Sequence, residues 1–275
     1  MPELPEVETI RRQLEPEVRG RSITGTRVTD GLLVAPMTPA RFAGKLKGRM
    51  ITGLSRRGKY LRFELDGGDT LVVHLRMTGI LTRLEENPRN GDQRHLRLVL
   101  TLDDGSFLAF HDVRRFGKAF LLGAGASDSY WARLGPEPLE RSFNPKVLAA
   151  IFHGRVRPVK PALLDQQLIA GIGNIYADEA LFAALIHPEK PAGSLSGKEI
   201  AALTKSIKET LRRAIRLQGS SIDSYRDARG NPGRFQNTFK VHRRAGEPCP
   251  RCGTAIEKTR VGGRGTYYCP RCQRK

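Results

Sequence analysis

The chain has 275 residues, 39% of them apolar and 27% charged, enough material for two or three cored units. Its 47 Lys and Arg against 28 Asp and Glu leave a formal charge of +19, which favours a polyanionic partner, nucleic acid ahead of acidic lipid. No run reaches the roughly 18 apolar residues of a membrane span, and the acidic start is unlike a secretory signal, so neither secretion nor membrane spanning is expected.

Pro5 to Val18 reads as a helix, with Pro5 at its first position and Val7, Ile10 and Leu14 on one face. Glu3, Glu6 and Glu8 cluster at its positive end. Tyr60–Leu65, Leu71–Met77 and His95–Leu102 alternate apolar with polar residues, and Asp66-Gly-Gly-Asp69 and Asp103-Asp-Gly105 supply turns. The first half therefore reads as antiparallel β, a sandwich. After a break near Gly135-Pro-Glu-Pro138, helices are expected over Lys146–Phe152, Ala162–Ile169, Ile175–Ile186 and Ser196–Leu217. Gly219 to Asn237 is polar and rich in turn residues, a loop long enough to be functional.

All four cysteines lie near the end of the chain, as Cys249-Pro-Arg-Cys252 and Cys269-Pro-Arg-Cys272 separated by sixteen residues. That spacing fits a four-thiolate zinc site better than two disulfides. Four thiolates close a tetrahedral shell and leave no position for water, so one structural zinc ion is expected to pin a hairpin and to catalyse nothing. From Arg234 to Lys275 eleven basic residues face only Glu247 and Glu257, so the zinc module is basic. The fold class is α+β and multidomain: an N-terminal antiparallel β-sandwich with an N-terminal helix, a helical domain, and a four-cysteine zinc-finger β-hairpin. The expected boundaries are 1–134 for the sandwich, 135–145 for a linker, 146–237 for the helical domain with its 219–237 loop, and 238–275 for the zinc finger.

A proline at position 2 is, taken alone, only a proline. Once the initiator Met is removed, however, it carries a secondary amine that can attack an aldehyde carbon and form an iminium ion. Such an amine titrates near neutrality, and a carboxylate beside it can move the protons of sugar-ring opening and elimination.

Met1-Pro-Glu-Leu-Pro-Glu-Val-Glu-Thr9 resembles the opening of the bacterial formamidopyrimidine-DNA glycosylases. Five further motifs resemble that family in order along the chain: Arg57-Gly-Lys-Tyr60, His74-Leu-Arg-Met77, Asp112-Val-Arg-Arg-Phe-Gly117, Gly171-Ile-Gly-Asn-Ile-Tyr-Ala177 and Gly263-Arg-Gly-Thr-Tyr-Tyr-Cys-Pro-Arg-Cys-Gln273. The resemblance implies a glycosylase and lyase that flips oxidised purines out of duplex DNA and excises them through a Pro2 Schiff base. It makes Pro2 the nucleophile, Glu3 the acid and base, Glu6 a support, and Lys59 a cation directed at the sugar and its phosphates. His74 and Asn174 become phosphate contacts, although Asn174 also reads as an N-cap. Met77, Arg114 and Phe116 fill the gap left by the extruded base, offsetting a few kcal/mol of lost stacking. For Met77 and Phe116 taken alone, core packing is the simpler reading. Arg264 clamps the phosphates, Lys160 lies near the damaged base, and the helical domain becomes a helix-two-turns-helix module. Ser220, Ser221 and Tyr225 belong to a flap over the base, although Asp223-Ser-Tyr-Arg-Asp-Ala-Arg229 departs from the family pattern.

The expected partner is double-stranded damaged DNA, bound by a monomer in the bacterial cytoplasm at the nucleoid. Two alternatives stand beside this expectation: the sister enzyme for oxidised pyrimidines, and a non-catalytic binder of damaged DNA. Pro2 separates the latter, since a binder needs no imine-forming amine.

Overall fold

The computed structural model describes residues 1–88 and 94–275. The chain forms two compact units: Met1–Ala132 with Leu217–Arg234, and Arg133–Arg216 with Phe235–Lys275.

The first unit opens with α1 (Leu4–Val18), continues through β1 (Ile23–Val28), α2 (Gly31–Val34), α3 (Pro39–Leu46), β2 (Ile51–Arg57), β3 (Tyr60–Leu65), β4 (Thr70–His74) and β5 (Gly79–Leu84), and ends with β6 (Leu96–Leu102), β7 (Phe107–Asp112), β8 (Lys118–Leu122) and α4 (Ser127–Trp131). Two four-stranded antiparallel sheets result, ordered β1-β6-β7-β5 and β2-β3-β4-β8. Their inward residues, among them Leu98, Leu100 and Phe110 from one sheet and Leu61, Phe63 and Leu71 from the other, join a single core. The apolar stripe of α1 (Val7, Ile10, Leu14 and Val18) is fully buried in that same core. Burying such a stripe is what holds an amphipathic helix in place, since propensity alone contributes little.

The second unit contains α5 (Pro145–Phe152), α6 (Val159–Leu164), α7 (Asn174–Ala184), α8 (Gly197–Arg216) and the hairpin β9 (Glu257–Val261) with β10 (Arg264–Tyr268). Capping sets the helix starts. Asn144 accepts from the Val147 amide at 3.2 Å, and Ser196 and Glu199 exchange hydrogen bonds ahead of α8. The zinc-type hairpin shares a small core with the helices through Phe182, Val241, Ile256 and the buried Cys249 and Cys269. No helix among the described residues is long and apolar enough to cross a membrane.

The structure divides differently from the expected boundaries. The 135–145 segment is no spacer: Gly135 donates to Gln166 O at 2.9 Å, and a Cβ at Gly135 would lie 2.3 Å from the Leu168 carbonyl carbon, so this backbone contact requires glycine. The loop assigned with the helical domain packs instead on the first unit up to Arg234, because Tyr225 and Ala228 enter the sandwich core and Gln13 binds Asp227 and the Ala228 amide. Two expected elements are also shorter. The Leu71–Met77 strand stops at His74, and the Ala162–Ile169 helix lies at Val159–Leu164 with a turn after it.

Candidate active site

In the first unit, Glu3 is the N-cap of α1 and pairs with Glu6 in a capping box in which Glu6 Oε2 accepts from the Glu3 amide at 2.8 Å. Met1 is exposed, whereas Pro2, Glu3 and Glu6 are buried, the last two at 3% and 1% exposure. The second Glu6 oxygen accepts from the Ser220 amide at 2.7 Å, and the Tyr225 hydroxyl donates to Glu6 O at 3.4 Å. Burial, then the neighbouring Glu6 charge, pushes the Tyr225 phenol well above its ordinary pKa, so it stays a neutral donor. Ser220, Ser221 and Tyr225 are thus brought to the Pro2–Glu3–Glu6 segment, Ser221 by bonding Tyr225 O and the Gly233 amide. Tyr225 is 5% exposed and half of a hydrogen-bonded anchor, so the expected flap is in this structure a packed segment.

Glu8 accepts hydrogen bonds from three arginines, Arg11, Arg12 and Arg56. Burial acts to raise its pKa, but hydrogen bonds from Arg11 and Arg12 and the charge of Arg56 outweigh that and hold the carboxyl below its ordinary range. Arg56 reaches Glu8 at 3.2 Å and Gly58 O at 2.8 Å, tying α1 to the two-residue turn Gly58–Lys59 of the β2–β3 hairpin. Gly58 takes φ +57°, a turn conformation glycine adopts without strain, and Lys59 beside it is 6% exposed. Arg56 had no role in the sequence reading; its adjacency to Glu8 crosses 48 positions and left no local signal.

His74 ends β4 opposite Tyr60, with the ring centroids 4.4 Å apart. Burial, then the charges of Arg76 and Lys59, push its pKa down to about 3. Its Nδ1 accepts from the Arg76 amide at 2.9 Å, which leaves the proton on Nε2 as a neutral donor. Beyond it, Arg76 turns the chain at φ +53°, so Met77 sits half-buried on a turn rather than on a strand. Arg114 and Phe116 are both exposed, with the guanidinium 4.7 Å from the ring centroid. For Phe116, at 49% exposure, the core-packing alternative fails.

In the second unit, Gly262 and Gly263, both at positive φ, form the tip of the β9–β10 hairpin, and Arg264 follows them, exposed. A Cβ on Gly262 would lie 2.6 Å from the Pro161 ring, so the tip sits against α6 only as glycine. Asn174 is the first residue of α7 rather than its cap, which is Gly173, and its Nδ2 donates to Gly265 O at 3.0 Å. Lys160 lies in the interior of the second unit. It is fully buried, 2.7 Å from Asp178, and donates to Gly265 O and Thr266 Oγ1 at 2.8 Å each, so its ammonium holds the Arg264 hairpin. Asp178, which also meets His242 Nδ1 at 2.8 Å, was missed because its partners, Lys160 and His242, lie on two separate segments distant in sequence.

The Sγ atoms of Cys249, Cys252, Cys269 and Cys272 lie within 4.8 Å of one another. Three of their separations are 3.9, 3.5 and 3.5 Å, too long for disulfides and close to the roughly 3.8 Å edge of a tetrahedron with zinc–sulfur bonds.

Three family models match along the chain: the formamidopyrimidine-DNA glycosylase N-terminal domain at 1–119, its H2TH domain at 134–226, and a zinc finger found in FPG and IleRS at 246–274. The chain belongs to the formamidopyrimidine-DNA glycosylase family. It is 47% identical over 273 residues to the formamidopyrimidine-DNA glycosylase of Chloroflexus aurantiacus, covering 99% of this chain and 98% of that protein. Among solved members of this glycosylase family it is similar to Lactococcus lactis Fpg bound to abasic-site DNA, with TM-score 0.92 and 40% identity over 99% of this chain and 100% of that one. A point mutant of the L. lactis glycosylase in complex with a Fapy-dG containing DNA gives TM-score 0.93 at 39% identity, with both chains fully covered.

Proposed function

We propose that this glycosylase excises oxidised purines, 8-oxoguanine and formamidopyrimidines, from duplex DNA and then nicks the strand as a lyase. The observation that carries the reading is the start of α1: two buried carboxylates are held in a capping box beside the residue whose nitrogen becomes a secondary amine when Met1 is removed. Family membership and the relatives that bind Fapy-dG and abasic-site DNA support the same substrate class.

In this account the Pro2 nitrogen attacks C1′ of the damaged nucleotide and the base departs. Glu3 protonates the ring oxygen, which opens the sugar and leaves an iminium on Pro2. Loss of the C2′ proton expels the 3′ phosphate, and a second elimination expels the 5′ phosphate. Glu6 holds the Glu3 and Ser220 amides, so that the amine and its proton carrier keep one geometry. Lys59 and the neutral Nε2–H of His74 meet phosphates from the first unit, and Asn174 and Arg264 from the second. Met77, Arg114 and Phe116 fill the space of the extruded nucleotide. The four cysteines would hold one zinc ion, which supplies rigidity to the hairpin bearing Arg264. The enzyme acts as a monomer in the cytoplasm, on nucleoid DNA.

The test is a duplex carrying 8-oxoguanine opposite cytosine. The expected products are the free oxidised base and a one-nucleotide gap with phosphate at both ends. Tight binding with the strand intact would favour a binding module, and cleavage confined to an oxidised-pyrimidine duplex would favour the sister activity.

A further inference from the structure

The turn that carries Met77 and the turn that carries Arg114 and Phe116 are separated by more than thirty positions, yet share one hydroxyl and one carboxylate. Thr78 Oγ1 donates to Asp112 Oδ1 at 2.5 Å and accepts from the Arg114 amide at 3.1 Å. Asp112, 1% exposed, also receives the Arg114 amide on Oδ1 at 3.2 Å and the Gly117 amide on Oδ2 at 2.7 Å. Its backbone is fixed independently, since Asp112 O accepts from Arg97 Nε at 2.9 Å and its amide donates to His95 O at 2.8 Å.

Both turns run through the left-handed region at a non-glycine residue, Arg76 at φ +53° and Arg115 at φ +58°. Such a conformation persists only where surrounding contacts impose it. The second is imposed by paired hydrogen bonds from Arg115 to the buried Asp30, at 2.7 and 2.9 Å. The Thr78–Asp112 pair then links it to the first.

We propose that Thr78 and Asp112 are positioning residues that join the two turns into one body, so that Met77, Arg114 and Phe116 enter the duplex together. This rests on the reading of those three as the residues that fill the vacated space. The couple acts on extrusion of the base and leaves the chemistry at Pro2 untouched. A substrate with no base to extrude is therefore insensitive to it.

Single-turnover rates on an 8-oxoguanine duplex and on an abasic duplex test the proposal, with Thr78→Val as the near-isosteric change and Thr78→Ser as the change that keeps the hydroxyl. Loss of a hydrogen bond to a buried carboxylate predicts that Thr78→Val slows excision of 8-oxoguanine roughly tenfold or more. The abasic rate stays within about twofold of wild type, and Thr78→Ser restores excision. Asp112→Asn in the Thr78→Val background adds less than it does alone, because both act through one contact. Equal slowing on both substrates, a wild-type rate in Thr78→Val, or failure of Thr78→Ser to restore excision overturns the couple. Phe116→Ala separates the two levels. If it leaves 8-oxoguanine excision unchanged, the space-filling reading falls and the proposal with it; if it slows excision while Thr78→Val does not, only the couple falls.

Discussion

The Glu6 carboxylate accepts a hydrogen bond from the Ser220 amide at 2.7 Å, joining the first turn of α1 to a segment 214 positions away. The contact depends on Gly219, which takes φ +80° and whose added Cβ would lie 2.7 Å from Glu6 Oε1. Gly219→Ala therefore displaces the carboxylate as well as straining the backbone. Gly20→Ala is the control: φ is +81° there, but nothing lies within 4 Å of an added Cβ. Both variants are expected to lose about 1–2 kcal/mol in urea unfolding from strain alone. Only Gly219→Ala should also slow base excision, by at least about tenfold. Equal activity in the two would break the link between Glu6 and the chemistry.

His74 gives stability a pH dependence of known sign. Its folded pKa of about 3 lies below the ordinary value of 6.5, so the unfolded chain takes up this proton first. The contribution is complete above the ordinary pKa and is lost as pH falls toward the folded one. Between pH 6.5 and 5 the wild type should lose about 1.5 kcal/mol more than His74→Gln in urea unfolding. Parallel pH profiles would contradict the burial of a neutral ring.

Removing the metal should act on DNA binding through the hairpin. Lys160 and Asn174 both grip Gly265 O, one residue beyond Arg264, and those bonds need β10 held in register. One zinc per chain is expected by elemental analysis. Chelation should weaken duplex binding by at least about tenfold, and zinc, but not magnesium, should restore it. Undiminished binding by the stripped protein would sever the four-cysteine cluster from DNA recognition.

Arg264 is expected to meet phosphate as a point charge on an exposed hairpin. Arg264→Gln should flatten the log–log salt dependence of duplex affinity by about 0.9. It should weaken lesion and undamaged DNA alike. An unchanged slope with weaker lesion binding would place the arginine elsewhere.

Much of this was legible because α1 and the sandwich strands announce themselves by period, and the cysteines by spacing. What failed to read were facts set by distant partners. Lys160 looks like an available cation beside a helix, and only Asp178 and the carbonyl of Gly265, 105 positions on, reveal it as buried structure. The Leu71–Met77 alternation continues past the strand's true end, because Arg76 turns the chain where Thr78 and Asp112 hold it. The loop after α8 carries turn residues but no sign that Tyr225 and Ala228 belong to the sandwich core.

Borohydride trapping on an 8-oxoguanine–cytosine duplex, followed by intact mass and peptide mapping, shows whether Pro2 becomes the nucleophile. A covalent adduct on Pro2, in a chain that has lost Met1, is the expected result. A processed chain that binds this duplex tightly, yields no adduct and leaves the strand whole would contradict it.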